Sequence, residues 1–365
     1  RQIEGSLGSS LHSINVILLR VKMKKILFAS SALVAAGFAG AAQASEPIQL
    51  EVGGYMEQWA GVADQDVGES KNAFQSDTEI HFSGKTTLDN GIEVGAKIEL
   101  EGETSGDQID EQYLYVTGGF GQVRLGKDDS AADSMGVTAP SVGPVGVNDG
   151  DLTNWVDAYL IDTVPSSGDQ NRVTYYTPVV GGFRVGASYA DDSQRNGSGD
   201  YNGTDGDGDN IVSAGIEFNH DFDGVSVGVS ATGENWAEGN WYGLGATVGF
   251  GNFVVGSSWG HIEDDYAQGE NSTTAGDTDA YDIGVSYAMD AASVSLTYGY
   301  AEYGNREDGN TTTTGEISTV DLGLAYTLGA GVTWKSSIFW FDDETDSANI
   351  ADNDGYGAVT GLALS

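Results

Sequence analysis

The residues of this sequence that could do chemistry are charged, and they fall into two sets. One set is basic and occupies alternate positions of short segments: His81, Lys85, Lys97, Arg124, Arg172 and Arg184. The other set is acidic and belongs to one long stretch, residues 128–170: Asp128, Asp129, Asp133, Asp149, Asp151, Asp157 and Asp162. Carboxylates that face cationic groups across water create a transverse field. Such a field orients dipolar solutes, and rings of charge set ion preference.

A third acidic run could bind a metal ion. Residues 205–210 read Asp-Gly-Asp-Gly-Asp-Asn, which places Asp205, Asp207 and Asp209 at alternate positions of a glycine-rich segment. Oxygen ligands at this spacing suit Ca²⁺, although the Glu at position 12 of an EF-hand loop is missing. Specific Ca²⁺ binding and a merely solvated acidic loop both remain open, and no other cofactor is expected.

Patterns that would indicate catalysis are missing from the sequence. His81, His220 and His261 lie in separate segments without the spacing of metal ligands. The pattern G-x-S-x-G occurs at Gly224–Gly228 and Gly256–Gly260, but both matches lie in predicted strands, so neither is a nucleophile elbow. There is no cysteine to act as a nucleophile. The glycine-rich runs lack the strand–loop–helix context of a phosphate-binding loop, and the match to G-x-x-x-x-G-K at Gly121–Lys127 continues with Asp128 where that loop has Ser or Thr. We therefore expect no enzymatic activity.

The N-terminus carries an export signal. Met23-Lys24-Lys25 is followed by an apolar run from Ile26 to Gly40 and by Ala42-Gln43-Ala44, an A-x-A cleavage pattern. Residues 23–44 are predicted to be a signal peptide. Residues 1–22 precede it as an upstream segment, and residues 45–365 form the mature domain. The apolar run is too short for a transmembrane helix.

Composition excludes one class of partner and favours one class of fold. The chain has 15 Lys and Arg against 55 Asp and Glu, which gives a net charge of −40. Such an acidic chain repels nucleic acid, so no nucleic-acid partner is expected. With 54 glycines, 5 prolines and 17 tyrosines, the composition favours β-strands over helices.

Alternation of apolar and polar side chains is the main structural signal. In residues 91–101 the apolar set is Ile92, Val94, Ala96, Ile98 and Leu100, and polar or small residues fill the positions between. Sixteen segments follow this rule after residue 44, and their basic residues all lie on the polar parity. A soluble sandwich would need a very large core to bury sixteen apolar faces. A barrel that turns these faces toward lipid needs no such core.

The joints between the sixteen strands alternate in length. Seven are short turns rich in Gly, Asn and Asp, and eight are long: 61–74, 102–109, 128–170, 191–210, 234–239, 263–278, 303–317 and 342–354. Short turns on one side and long loops on the other are typical of an outer-membrane barrel. The predicted fold is all-β, a sixteen-stranded antiparallel transmembrane β-barrel.

The joint at 128–170, termed loop three, is too long for a passive connection and carries its own apolar residues. A sixteen-stranded barrel is wide enough to hold water and an infolded segment. We therefore expect loop three to fold inward as a constriction, so that its acids face the basic strand positions. The alternative is that these acids form a solvated external surface.

Several motifs resemble the Gram-negative porin family, in particular the sixteen-stranded porins of α-proteobacteria. They are the Met-Lys-Lys signal ending in Ala-Gln-Ala, the strand Ile48–Tyr55, the run Phe120–Lys127 before loop three, and Asn171–Pro178 after it. The resemblance implies a water-filled homotrimer in the bacterial outer membrane that lets small hydrophilic solutes and ions diffuse passively. It also implies a constriction of loop-three acids facing strand-borne basic residues, first of all Arg124 and Arg172.

The excess of carboxylates predicts a preference for cations in such a channel. A substrate-selective outer-membrane channel and, from another class, a secreted β-rich adhesin or structural protein remain alternatives. The acidic loops are expected to bind divalent cations that bridge to lipopolysaccharide phosphates.

Members of the family usually end in an aromatic residue, whereas this sequence ends in Leu364-Ser365. We expect a terminal Phe one or a few residues further on.

Overall fold

A computed structural model describes residues 47–68, 72–103, 108–148, 151–165, 167–190, 210–267, 276–308 and 311–365. The signal peptide predicted at 23–44, the upstream segment and the Ca²⁺ candidates Asp205, Asp207 and Asp209 lie outside these residues. The strands are β1 (Glu51–Gln65), β2 (Asn72–Thr87), β3 (Glu93–Glu101), β4 (Ile109–Gly118), β5 (Gly121–Asp128), β6 (Gln170–Tyr176), β7 (Phe183–Ala190), β8 (Ile211–Asp221), β9 (Val225–Trp236), β10 (Gly239–Phe250), β11 (Phe253–Ile262), β12 (Thr278–Met289), β13 (Ala292–Asp308), β14 (Thr311–Gly329), β15 (Val332–Thr345) and β16 (Asn353–Leu364).

The sixteen strands form one closed antiparallel barrel, which confirms the predicted fold. Each strand pairs with its neighbours in sequence, and β1 pairs with β16 through the register Met56–Leu364 to Gln65–Gly355. Closure gives every strand two partners and leaves no open sheet edge. In a membrane this matters because lipid offers no partner for an unpaired backbone group.

The two faces of each strand differ as the alternation predicted. On β12, Tyr281 and Ile283 are 46% and 55% exposed on the outside, whereas Asp282 between them is 3% exposed and points inward. The same parity holds on β2, where Phe74 and Ile80 point outward. The apolar outer face suits contact with lipid. Among the described residues, no helix is both long and apolar enough to cross a membrane.

Two of the predicted long joints are not long loops in the structure, so these predictions are wrong. The joint at 234–239 is a tight connection, because β9 continues to Trp236 and β10 begins at Gly239. The joint at 303–317 is largely strand, since β13 runs to Asp308 and β14 starts at Thr311. A register shift between Tyr303 and Arg306 lies in this hairpin. Polar residues outside a membrane extend strands without apolar alternation, so the sequence pattern ends before the strand does.

Candidate functional site

Loop three lies inside the barrel, as predicted. Its backbone N–H groups donate to lumen-facing hydroxyls: Ala131 to Ser188 at 3.1 Å, Ala132 to Ser213 at 3.4 Å, Val137 to Ser230 at 3.0 Å, Val142 to Ser295 at 3.1 Å and Val145 to Ser337 at 3.2 Å. The acceptors belong to β7, β8, β9, β13 and β15. The loop therefore follows the inner wall over many strands. We term the inner faces of β7–β15 and of residues 59–65 of β1 the covered wall, and those of residues 51–58 of β1 and of β2–β5 the open wall.

Lumen-facing glycines make room for the loop. A Cβ atom at Gly245 would overlap the carbonyl oxygen of Val137, and one at Gly260 would overlap the backbone of Thr163. A Cβ atom at Gly256 would lie 3.0 Å from Cδ of Pro140. Glycine within a strand often marks close approach by another backbone, and here that backbone is loop three.

Asp282 on β12 holds two parts of the loop together. Its carboxylate accepts hydrogen bonds from the backbone N–H of Ala139 at 3.2 Å, the side-chain amide of Asn148, and Oγ of Ser258 at 2.5 Å. Oγ1 of Thr163, near the far end of the loop, lies 3.5 Å from the same carboxylate oxygen. Hydrogen bonds to a buried charge are among the strongest in proteins, so Asp282 is the main polar anchor of loop three.

The middle of loop three is anchored by apolar packing. Trp155 lies over Gly61 of β1, where a Cβ atom would overlap its ring. A buried cluster joins loop and wall: Val145, Leu152, Trp155 and Val156 of the loop with Trp59, Ala63, Phe339, Phe341 and Val359 of the strands. The backbone N–H of Tyr159 also donates to Asp343 at 3.0 Å. Apolar residues in the loop thus serve to attach it to the wall.

A short helix begins loop three. Helix α1 (Ala131–Ser134) is capped by Ser130, whose hydroxyl accepts a hydrogen bond from the N–H of Asp133 at 3.2 Å. Its Ala131 and Ala132 are fully buried against the wall. Asp133 is half-buried, and burial raises its pKa to about 9, with the nearby charge of Asp129 adding to the effect. Asp133 is therefore protonated at neutral pH.

Asp169, at the other end of loop three, has a similar environment. Burial raises its pKa to about 8, and the charges of Asp129 and Asp110 raise it further. Oxygens of Glu111, Asp129 and Asp169 lie within 4.8 Å of one another. The two ends of the loop and β4 thus bring carboxylates together beside the open wall.

The basic residues predicted to line the lumen are neutralised by carboxylates of the wall itself. Nζ of Lys85 lies 3.1 Å from Glu93. Lys97 contacts Glu99 and lies 3.3 Å from Glu111. These carboxylates belong to strands and not to loop three, so the field predicted between a basic wall and an acidic loop is largely cancelled at these positions.

Arg124 and Arg184 form a stack with tyrosines. The Arg124 guanidinium lies 5.1 Å from the ring of Tyr113 and 5.2 Å from that of Tyr176, and the Arg184 guanidinium lies 4.9 Å from Tyr176. Arg124 also pairs with Asp128 at 3.1 Å, and Arg184 with Glu217 at 2.8 Å. Rings and carboxylates hold these guanidinium groups in place. From the basic and acidic sets predicted for the constriction, the structure brings Arg124 and Asp128 into contact.

Arg172 does not line the solute path, in contrast to the prediction. It is 5% exposed and lies behind loop three. Its guanidinium donates to the carbonyl of Gly168 at 2.6 Å and to Oγ of Ser167 at 3.2 Å, and it lies 4.0 Å from Glu234. Because its partners belong to the returning end of the loop, Arg172 holds that end in position.

The other residues predicted for the constriction lie in different parts of the structure. His81 lies 2.6 Å from Glu79 and 3.3 Å from Glu99 on the open wall. Asp157 is exposed, and its backbone N–H donates to Gln65 at 2.9 Å. Asp162 accepts from the N–H of Val164 at 2.9 Å. Asp149 lies outside the described residues, and only the backbone of Asp151 is described, in a 3-10 turn.

Carboxylates outnumber basic groups around the lumen. A further set of acids lies near the open wall: Asp77, Glu101, Asp110, Asp129, Asp133 and Asp169. The charge of Lys127 acts on Asp110 and Asp169, and Arg172 lies close to Asp129 and Asp169. Of this set the prediction included Asp129 and Asp133; for Asp77 and Glu101, lumen-facing parity on β2 and β3 was the available signal.

A sequence model of the Gram-negative porin family matches residues 29–346. The chain belongs to this family. Porins of this family are outer-membrane channels for passive diffusion, which agrees with the closed barrel and its apolar outer face. The family assignment replaces the alternative of a secreted adhesin. A search of curated protein sequences gives no significant match.

Solved porin structures share the fold at low sequence identity. The anion-selective porin from Comamonas acidovorans is 17% identical and superposes with a TM-score of 0.57, covering 87% of this porin and 99% of that chain. OmpT of Vibrio cholerae, in a trimer form, is 15% identical with a TM-score of 0.61, covering 88% and 99%. DcaP, an outer-membrane channel of Acinetobacter baumannii, is 13% identical with a TM-score of 0.55, covering 90% and 100%.

Proposed function

We propose that this porin is a general diffusion channel that prefers cations and passes small hydrophilic solutes. The observation that carries the proposal is the surplus of carboxylates near the open wall, on β2–β4 and at Asp129. Each lumenal basic group already has an acidic partner, so the uncompensated charge is negative. Fixed negative charge in a water-filled passage raises the local concentration of cations.

The proposed solute path runs along the open wall. Its basic groups are Arg124, Lys97, Lys85 and His81 of the open wall and Arg184 at the edge of the covered wall, and its acids come from loop three and from β2–β4. Carboxylate oxygens of Asp129 and Asp169 lie within 4.8 Å of that of Glu111 on β4, and Asp133 lies close to Asp129. No step of this transport forms or breaks a covalent bond, so the proposed function is non-enzymatic.

The barrel architecture does not determine whether a porin prefers cations or anions. The Comamonas acidovorans porin of similar fold is described as anion-selective. The sign of the preference must therefore come from the side chains of each chain. A substrate-selective channel remains a second candidate, because the stack of Tyr113, Arg124, Tyr176 and Arg184 presents ordered guanidinium groups on aromatic rings.

We also propose a homotrimer in contact with outer-membrane lipid and lipopolysaccharide. The trimer form of the Vibrio cholerae protein of similar fold supports the oligomer. The acidic external segments, with Asp205, Asp207 and Asp209 among them, would bind Ca²⁺ and bridge to lipopolysaccharide phosphates. Cross-linking in detergent tests the trimer. Melting in the presence and absence of Ca²⁺ tests the bridge, and an unchanged melting temperature would argue against bound Ca²⁺.

Ion preference is tested in planar bilayers. We expect the reversal potential in a KCl gradient to favour K⁺ over Cl⁻. The triple variant Asp129→Asn, Asp133→Asn, Asp169→Asn, measured at pH 9 where the carboxylates ionise, should lose a large part of that preference. Asp64→Asn is the matched control, because Asp64 is exposed and lies near Tyr356. A wild-type potential that favours Cl⁻ would overturn the proposed preference.

A further inference from the structure

On the open wall, one histidine lies between two carboxylates. Nε2 of His81 is 2.6 Å from Oε2 of Glu79 and 3.3 Å from Oε1 of Glu99. His81 and Glu99 are direct cross-strand partners on β2 and β3. One ligand atom from each of the three residues lies within 4.8 Å of the others. We propose that Glu79, His81 and Glu99 form a binding site for a transition-metal dication such as Zn²⁺.

The donor set decides the class of metal. Zn²⁺ binds imidazole nitrogen and carboxylate oxygen, whereas Ca²⁺ and Mg²⁺ take oxygen ligands. At Zn–ligand distances near 2.1 Å, the corners of a tetrahedral site are about 3.4 Å apart. The 3.3 Å between Nε2 of His81 and Glu99 is close to this value, and the 2.6 Å to Glu79 is shorter, so rotation of the Glu79 side chain away from the ring would complete the geometry. Water would fill the fourth position.

The surrounding charge favours a dication. Glu79 lies directly opposite Glu101 across the strand pair. Oxygens of Glu79, Glu101 and Asp110 also lie within 4.8 Å of one another. Like charges in this position destabilise a sheet. Lys97 contacts Glu99 and is shared with Glu111, and the charge of Lys127 acts on Asp110. A bound dication would relieve the remaining repulsion.

A tyrosine orients the first ligand. The hydroxyl of Tyr55 donates to Oε1 of Glu79 at 2.7 Å and lies 3.0 Å from Asp77. This leaves Oε2 of Glu79 directed at His81. Hydrogen bonds from such neighbouring groups typically contribute about 10- to 100-fold to metal affinity. The side chains of His81, Glu79 and Glu99 are 27%, 13% and 8% exposed, so an ion in the lumen can reach them.

The test uses the purified full-length porin in detergent. We expect calorimetry to show one Zn²⁺ site per chain, and electron paramagnetic resonance of bound Cu²⁺ to show coupling to one nitrogen. His81→Gln should remove that coupling and weaken Zn²⁺ binding at least about tenfold. His220→Gln is the matched control, because His220 is exposed on the outer face between Phe218 and Phe222. It should leave both measurements unchanged.

Two further variants keep the test decisive if His81→Gln fails to fold. Tyr55→Phe retains the ring and removes the hydrogen bond to Glu79, so Zn²⁺ affinity should fall about tenfold with the nitrogen coupling retained. Glu99→Gln should weaken Zn²⁺ binding to a similar degree. Equal Zn²⁺ affinity in wild type and these variants, or Cu²⁺ coordinated by oxygen alone, would overturn the proposal. Neither readout depends on the ion preference proposed above.

Discussion

The covered wall and the open wall follow one alternation but carry different side chains. Under loop three many inward positions are small or hydroxylic, as at Gly245, Ser230 and Ser295, and Phe339 and Phe341 supply apolar contacts. On the open wall they are long, charged or aromatic, as at Lys97 and Tyr115. Parity therefore decides which residues point inward, and side-chain volume decides whether a loop or water lies against them.

The difference assigns separate tasks to the two walls. Hydroxyls and one anchoring carboxylate on the covered wall bond the backbone of loop three, so that wall fixes the cross-section of the passage. The open wall keeps its charges in contact with water, so in the proposed function it would set ion preference. Substitutions on the covered wall should mainly change stability, whereas substitutions on the open wall should mainly change selectivity.

The largest expected effect comes from removing the polar anchor. Asp282→Ala leaves the N–H of Ala139, the amide of Asn148 and the hydroxyl of Ser258 without their acceptor. Loss of several hydrogen bonds to a buried charge should lower the free energy of unfolding by about 4 kcal/mol. Urea unfolding in lipid vesicles, followed by tryptophan fluorescence, measures this change.

Asp321 on β14 is the matched control for that variant. It is also fully buried on the covered wall, and among the described residues neither carboxylate oxygen has a hydrogen bond of good geometry, although the hydroxyl of Ser337 lies nearby. Asp321→Asn removes the charge and keeps an oxygen that can accept from Ser337. Stability should stay the same or rise by about 1 kcal/mol. Equal destabilisation by the two variants would contradict the role given to Asp282.

The second largest effect is expected from filling the space that a lumen-facing glycine leaves for loop three. Gly245→Ala places a methyl group where the carbonyl of Val137 lies, so loop three must move away from the wall. Overpacking of this kind should cost about 3 kcal/mol in unfolding free energy. Gly53→Ala is its counterpart on the open wall, where a Cβ atom meets nothing within 4 Å. A similar loss in both variants would show that the loop does not rest on Gly245.

Much of this architecture could be predicted from the sequence, because alternation has a direct physical cause. A face toward lipid must be apolar at every second residue, so the strands and their parity are visible at positions such as Ile283 and Asp282. The inward folding of loop three was also predictable from its length and apolar residues. The hairpins at 234–239 and 303–317 were not, because no lipid requires alternation outside the membrane.

The pairing of charges could not be predicted, because it depends on register. Lys97 meets Glu111 through the alignment of β3 with β4, which shifts between Ile98 and Leu100. Arg172 has the same parity as Arg124 and was predicted to have the same role. The returning end of loop three covers it, and only the path of the loop determines which arginine stays in contact with water.

A smaller effect follows from the carboxyls at the two ends of loop three. The pKa values of Asp133 and Asp169 are raised to about 9 and about 8, so both groups ionise as the pH rises from 7 to 10. Added negative charge should increase K⁺ preference over this range, and reversal potentials measure it. The double variant Asp133→Asn, Asp169→Asn should flatten the pH profile, and an unchanged profile would contradict the assignment.

The same groups link stability to pH with a defined sign. In the unfolded chain both carboxyls ionise near their ordinary pKa of 3.8, whereas in the barrel they hold their protons to higher pH. The folded state therefore binds more protons between these limits. The stability that these two groups contribute is therefore fully present below pH 3.8, and it is lost as the pH rises toward 9. The double variant should melt at a temperature that depends less on pH.

The smallest expected effect lies on the open wall. Lys85 is 57% exposed and pairs with Glu93 at 3.1 Å. Exposed ion pairs contribute little to stability, so Lys85→Gln should change the free energy of unfolding by less than about 0.5 kcal/mol. The freed Glu93 adds negative charge to the lumen, so K⁺ preference should rise slightly, and less at high salt because screening weakens its field. A large loss of stability without a change in selectivity would contradict the assignment of stability to the covered wall and of selectivity to the open wall.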